Sequence, residues 1–567
     1  MTSSPEPQRL SGPLPAHAAI ARALRERGVD TLFGLIGDAN LFMVAEFQQR
    51  GGRYVPVFHE ASSVLAALGY ASVTGTVGVA TVTHGPGLAN TVGALIEGVK
   101  ARIPIILITG QTPEADREHL QRMDQRSLIE ATGAGFVSIT RAEDILTALG
   151  DSWQRATSEH RPIVLNIDAS LMWDQIASKP VTSVAPVSRR IDPEEVDAAL
   201  DVLVSAQRPV VVAGRGAITA DAKKAVIAFA ERIGAPVMTT LRARSLFAGH
   251  SHDLGIMGGL SSDLAEDTVR AADCVIAFGA SLNTWTTVEG SLLENASIIQ
   301  IDTDPEAIGC FTPVAAGIIG DVAPAAKALM RGCDERAWSG SAHVTEALAD
   351  AERHRQRAAG DARAHRHAEL LAAEDRERCG TVDVRAALAA LDDALPAERI
   401  VVVDAGRFAR AALPEISVTE PRNFVHGINF GSVGVGMAYA LGAAVGAPDK
   451  PVLLVCGDGG FLLGGMPDFI TVTQLGLDVT VAIVNDGAYG AEHIQLRRRG
   501  YDPAVSLLSF PDLAFLAEHL GGHGVTVRSL TELDEAVAGI RDMPKPVLLD
   551  LRADVDQLTD STLRAEH

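Results

Sequence analysis

Residues 452–490 read VLLVCGDGGFLLGGMPDFITVTQLGLDVTVAIVNDGAYG. The apolar run 452–455 predicts a buried strand that stops at Cys456-Gly457-Asp458-Gly459-Gly460. A second run, 479–484, stops at Asn485-Asp486-Gly487. The segment between them is long enough for the crossover helix of a parallel βαβ unit. Asp458 and Asn485 therefore stand at the carboxyl ends of two strands, where open parallel sheets bind ligands. A carboxylate and an amide oxygen are hard donors that suit Mg²⁺, an ion that keeps phosphate oxygens among its ligands. The neighbouring glycines let backbone N–H groups approach a phosphate. The stretch reads as a Mg²⁺–diphosphate site.

Composition is compatible with that reading and excludes others. The chain has 567 residues, enough for three or four domains that each bury a core. It is 47% hydrophobic and 21% charged, the balance of a globular protein. A net charge of −22 argues against a nucleic-acid partner, whose phosphates would be repelled. Five scattered cysteines with no CxxC pair point away from zinc or a disulfide framework and towards a cytoplasmic location. The polar start MTSSPEPQRLSGPLP has no signal-peptide core. The charge-free stretch 427–448 is rich in glycine and reads as a turn and a buried helix, so no membrane association is expected.

Helical and strand patterns alternate in three units. In the first, a helix is expected over 16–27 and strands over 31–35, 54–58, 77–82, 104–108 and 162–167, the last closing the unit. In the second, strands are expected over 210–213, 236–239, 274–278 and 297–301. The third runs from 381 to about 551, with a strand over 400–403 ahead of the two at 452–455 and 479–484. The pattern implies α/β units built on parallel sheets.

The spacing GDG, then 25 residues, then Asn485-Asp486-Gly487 resembles the cofactor motif of the thiamine diphosphate-dependent superfamily that includes acetolactate synthases and 2-oxo acid decarboxylases. The resemblance covers nearly the whole chain. It implies three doubly wound parallel-sheet domains: pyrimidine-binding (14–178), central and nucleotide-binding-like (190–335), and diphosphate-binding (380–552). A charged helical linker (336–379) and a tail (553–567) complete the layout. Thiamine diphosphate and Mg²⁺ are the implied cofactors, with Asp458, Asn485 and the Gly487 carbonyl as metal ligands. Gly459 and Gly460 at a helix start, together with Gly406, Arg407 and Tyr489, are placed with the cofactor. Arg407 reads equally as a phosphate contact or a surface charge.

Glu60 directly follows a strand and opens a helix, a place where an acid also complements the helix dipole. It matches the glutamate that, in this superfamily, promotes the imino tautomer of the aminopyrimidine. Gly431-Ser432-Val433-Gly434 is similar to the loop that grips that ring; the Gly431 carbonyl would accept from the 4′-amino group and Val433 would wedge between the two rings. His84, in THGPG, suits a proton relay. Asp38, in GDAN, resembles the catalytic aspartate loop of the decarboxylases, and Gln111 lies on a neighbouring strand end. No His-His pair follows Gln111-Thr112-Pro113, a departure from the decarboxylase pattern. Glu492, in AYGAEHIQL, lies one residue from the decarboxylases' second glutamate. The segment at 491–495 also departs from that of acetolactate synthases.

In the central unit, Gly214-Arg215-Gly216-Ala217 and Asp302 resemble the superfamily's adenine-nucleotide region, with Arg215, Gly216 and Asp302 as contacts. ADP is expected ahead of FAD. Arginines at 353, 355, 357, 363 and 366 are candidates for the phosphates of coenzyme A. The favoured reading is a 2-hydroxyacyl-CoA lyase that forms formyl-CoA and a ketone or aldehyde. A carboligase or decarboxylase acting on a 2-oxo acid is the first alternative, and a non-catalytic cofactor-binding regulator the second. The resemblance implies a homodimer or homotetramer, because each site of the superfamily draws on two protomers.

Overall fold

The computed structural model describes residues 12–177, 190–341, 345 and 380–556. These residues form three six-stranded sheets in which every pairing is parallel, with helices covering the faces. Along the first sheet the strands lie in the order Arg53–Pro56, Thr31–Gly34, Gly78–Val82, Ile105–Gln111, Ile163–Asp168, Gly135–Ile139. The third sheet runs Phe424–His426, Ile400–Val403, Val452–Gly457, Val479–Asn485, Val547–Arg552, His523–Val527. Numbered by chain order, both are 2-1-3-4-6-5. The central sheet is 3-2-1-4-5-6, the order of dinucleotide-binding folds. Its strands are Pro209–Ala213, Val237–Thr239, Asp253–Ile256, Cys274–Phe278, Ser297–Asp302 and Ala316–Ile319.

The continuous apolar runs became fully buried central strands, because both faces of a doubly wound sheet lie under helices. The strand expected over 104–108 extends to Gln111, so Gln111 stands at a strand end, as expected. The strand expected over 162–167 closes the sheet in chain order but lies inside it, because Gly135–Ile139, a strand the sequence reading did not mark, forms the edge beside it. A short antiparallel pairing of Leu14–Pro15 with Gln175–Ile176 ties the ends of that unit together. The linker arginines at 353–366 lie outside the described residues, as does the tail beyond residue 556. No helix among the described residues is long and apolar enough to cross a membrane.

One apolar core runs from the first sheet into the third, while the first domain has a second core and the central domain two of its own. The join is the contact between helix Glu60–Thr74 and helix Gly436–Gly446. The second of these, GMAYALGAAVG, is buried along nearly its whole length. Small residues let the two backbones meet. A Cβ on Gly69 would lie 2.3 Å from the Tyr439 carbonyl oxygen, and one on Gly442 would lie 1.9 Å from that of Ala66. Arg244 fastens the central domain to the third by donating to the carbonyls of Leu413 (3.1 Å) and Ile416 (2.9 Å).

Candidate active site

In the third sheet the strand order reverses between Ile400–Val403 and Val452–Gly457, the place where open α/β sheets take ligands. A cavity of ≈ 130 Å³ opens there. Gly406, Arg407, Val433, Asp458, Gly459, Gly460, Tyr489 and Glu492 are among the residues that line it. The pairing of Gly457 with Val484 delivers the next residues, Asp458 and Asn485, side by side.

Asp458 is 2% exposed. Its Oδ1 accepts from Gly459 N–H (2.6 Å) and its Oδ2 from Gly487 N–H (2.8 Å). Burial, and then the neighbouring Asp486, raise this carboxyl to about 7. Asn485 donates Nδ2 to Asp550 Oδ1 (2.7 Å), which fixes the amide and leaves its carbonyl oxygen on the other side. Gly487 takes a positive φ of 65° with open space where a side chain would sit, and its carbonyl accepts from Leu508 N–H (2.7 Å). Arg407 is no surface charge: its side chain is 15% exposed and pairs with Asp486 at 2.8 Å. The helix that starts at Asp458 widens into a π turn over Phe461–Gly465. There the backbone of Gly434 presses on it, since a Cβ on Gly464 would lie 2.4 Å from the Gly434 oxygen. Gly431 has a positive φ of 84°, and Val433 remains 40% exposed.

The first sheet gathers a second group. Glu60 is the first residue of its helix, capped by the His59 side chain, and accepts from Asn90 Nδ2 at 3.0 Å. None of the residues lining the cavity in this copy comes from the first sheet's domain. His84 is buried, and both ring nitrogens lack a hydrogen-bond partner. Its ring centroid lies 5.2 Å from that of His119. Burial and then His119 push its pKa down, while the nearby charge of Asp38 opposes them. Asp38 itself is exposed. Gln111 is committed to the sheet, where its Oε1 accepts from Asn166 and from Ser138 Oγ (3.4 Å).

In the central domain, Gly214-Arg215-Gly216 follows the strand at the order reversal. A Cβ on Gly216 would lie 2.8 Å from the Gly279 Cα. Arg215 donates to the Arg102 carbonyl, and burial followed by Arg242 and Arg102 lowers its pKa to about 9. Asp302 accepts from Asp304 N–H at 3.1 Å, and Asp304 pairs with Arg102 at 3.0 Å.

Three family models match in this order. They are the thiamine pyrophosphate enzyme N-terminal TPP-binding domain (residues 15–128), the central domain (196–329) and the C-terminal TPP-binding domain (404–551). The chain belongs to the thiamine diphosphate-dependent enzyme superfamily. Its curated relatives include a sulfoacetaldehyde acetyltransferase of Castellaniella defragrans, 25% identical over 92% of this chain and 89% of that one. The acetolactate synthase isozyme 2 large subunit of Escherichia coli is 26% identical over 94% of this chain and 95% of its own. A probable 2-ketoarginine decarboxylase of Pseudomonas aeruginosa is 28% identical over 93% and 91%.

The superfamily's cofactor can be tested against the cavity. Asp458, Asp486 and Asp550 concentrate buried negative charge, and all three carboxyls are pushed up, chiefly by burial. A divalent cation offsets such charge. Among the described residues no three His, Cys, Asp or Glu side chains converge as a metal cage. The donor set is one carboxylate, one amide oxygen and one carbonyl, which suits an ion that takes its other ligands from phosphate and water. The residues present fit a Mg²⁺-diphosphate group.

Sequence reasoning missed several supports. Asn40 shapes the Asp38 loop by accepting from Gly37 N–H (2.7 Å) and donating to the Leu35 carbonyl (3.1 Å). Gln125 braces Gly85, accepting its N–H at 2.6 Å. His493 lies between Ser506 Oγ (3.0 Å) and Asp556 (3.2 Å), so this histidine of the YGAEH segment anchors the chain after the last strand. The GDAN motif held a signal for Asn40, an amide closing a turn. Gln125 had none, because its partners lie 40 residues away or converge from other strands.

Proposed function

We propose that this enzyme makes or breaks a carbon–carbon bond beside a carbonyl or hydroxyl-bearing carbon, and that its substrate is a 2-hydroxyacyl-CoA. The products are formyl-CoA and a ketone or aldehyde, with condensation as the reverse. The observation that carries this reading is the placement of Glu492. It lines the same cavity as Asp458, on the first turn of helix Gly490–Arg498. Arg497 and Arg498 occupy the last turn of that helix. At a rise of about 1.5 Å per residue they lie roughly 8 Å further along the axis, a reach that suits coenzyme A phosphates beyond a reacting thioester.

Asp458, Asn485 and the Gly487 carbonyl would hold Mg²⁺. Gly406, Gly459, Gly460 and Arg407 would hold the diphosphate, and Gly431, Val433 and Tyr489 the rings. Bound there, thiamine diphosphate supplies a carbon nucleophile and an electron sink. Glu60 would carry a proton at its carboxyl for the aminopyrimidine. Glu492 and His84 would orient the substrate hydroxyl and accept its proton as the C1–C2 bond breaks. One proton then returns to the carbon that becomes the formyl group, so the reaction needs no oxidant. Asp38 would border the substrate, and Gln111 would stiffen the strand behind it. A site that includes Glu60 requires a second copy of the chain, hence a homodimer or a tetramer built from it. Apolar side chains exposed near both groups, including Leu120, Phe58 and Leu463, support such an interface. For the central domain the favoured ligand is ADP ahead of FAD, against Arg215, Gly216 and Asp302; the strand order and the convergence of Arg102, Arg215 and Arg242 support it.

A second reading, decarboxylation or carboligation of a 2-oxo acid, is favoured by the grouping of Asp38, His84 and His119, and by the names of the relatives. Purified enzyme with Mg²⁺ and thiamine diphosphate separates the two. Formyl-CoA release from 2-hydroxyacyl-CoA esters, without CO₂ release from pyruvate alone, supports the lyase. Steady CO₂ release with no thioester cleavage supports the second. Cofactor binding with neither activity would mark a regulator.

A further inference from the structure

The turn at Gly431-Ser432-Val433 is held at both feet by buried carboxylates from different domains. On the far side, Asp404 of the third sheet, 1% exposed, accepts from Gly434 N–H (3.0 Å) and Val435 N–H (3.3 Å). On the near side the carboxylate is Glu97, on helix Val92–Ala101 of the first domain, with no exposure at all. Its Oε1 accepts from Asn429 N–H (3.1 Å), Asn429 Nδ2 (2.7 Å) and Tyr439 Oη–H (3.3 Å), and its Oε2 accepts from Phe430 N–H at 2.6 Å. Four donors on one carboxylate, more than 330 residues away in sequence, is far more than an interface contact needs. Arg242 of the central domain lies close enough for its charge to be felt by Glu97, and it donates to the Ala101 carbonyl at 2.7 Å. All three domains thus meet at the foot of this turn.

We infer that Glu97 is a positioning residue for the cofactor: from the first domain it sets the Gly431–Val433 turn of the third. The inference rests on the reading that this turn grips the aminopyrimidine. The physical reason is directional. Two consecutive backbone N–H groups, those of Asn429 and Phe430, point at one anion, so the peptide planes leading into Gly431 have one orientation. A neutral amide keeps one acceptor oxygen but turns an NH₂ group towards these donors, leaving at least one buried N–H without a partner. Gly431, at a positive φ of 84°, has no side chain to resist the resulting rotation. The turn then swings while the fold persists.

The test compares wild type, Glu97→Gln, Glu97→Asp and Tyr439→Phe. Each is titrated with thiamine diphosphate at saturating Mg²⁺, followed by quenching of tryptophan fluorescence and by calorimetry. Thermal unfolding and the substrate KM at saturating cofactor are measured alongside. Glu97→Gln is expected to weaken cofactor binding by about ten- to a hundredfold, with substrate KM changed less than about threefold. Glu97→Asp keeps the charge on a shorter arm and should recover part of the loss. Tyr439→Phe removes one donor without stranding a charge, and should show a smaller loss in the same direction even if Glu97→Gln does not fold. Cofactor affinity in Glu97→Gln and Tyr439→Phe equal to wild type overturns the inference and leaves the functional reading standing. A wild-type chain that binds no thiamine diphosphate overturns both.

Discussion

Asp458 Oδ2 accepts the Gly487 N–H at 2.8 Å, so the ends of two adjacent strands are latched across the cavity by the carboxylate expected to meet the metal. The latch keeps that oxygen in register with Asn485 and the Gly487 carbonyl. Asp458→Ala should remove both the latch and the charge. We expect Mg²⁺-dependent binding of thiamine diphosphate to weaken by at least about a hundredfold, as read by calorimetry. Chelation of wild type should abolish turnover, and Mg²⁺ should restore it. Full activity after exhaustive chelation would refute the metal role.

Glu60→Gln tests the proton-carrying role. The amide preserves the helix start and can still meet Asn90, but it cannot cycle a proton. Turnover should fall by roughly two to four orders of magnitude, while cofactor affinity stays within a factor of about three. Wild-type turnover in the variant would remove Glu60 from the chemistry.

Asp468 offers a pH test away from the cavity. It is 1% exposed, accepts from Ser62 Oγ at 2.9 Å and leaves Oδ1 without a partner. Burial pushes its carboxyl up to about 7. The folded chain therefore keeps a proton that the unfolded chain releases near pH 4, so stability falls as pH rises from about 4 to about 7 and then levels. Asp468→Asn should remove that slope. Its melting temperature should exceed wild type by roughly 5 °C at pH 8 and match it near pH 4. Equal melting curves at both pH values would contradict this account.

Gly216→Ala places a methyl group 2.8 Å from the Gly279 Cα, in a contact between two backbones that have little room to yield. A stability loss of about 1–3 kcal/mol is expected in chemical denaturation. ADP, if it binds where Arg215 and Asp302 stand, should protect wild type more than the variant. The absorbance spectrum of purified wild type should lack flavin bands.

What the sequence disclosed follows from where the information is stored. Strands 274–278 and 400–403 were legible to the residue, because both faces of each are buried and the apolar run has no gaps. His523–Val527 was not; it is an edge strand, mostly half-buried, and lacks such a run. Asp458 and Asn485 were visible because each interrupts an apolar run where a sheet ends. Glu97 looked like any other helical acid. Its meaning lies in the donors of Asn429, Phe430 and Tyr439, which only the folded chain brings to it. Asp404 is the same case at closer range, its partners being 30 and 31 residues away.

The bare contact between the helices carrying Gly69 and Gly442 has a consequence for how this sequence can change. With carbonyl oxygens standing where the two Cβ atoms would be, neither position can accept even alanine unless one helix slides. Slow drift, methyl by methyl, is closed to this seam. Any lineage or design that widens the spacing between the two helices must do so in one coordinated leap, replacing several side chains together.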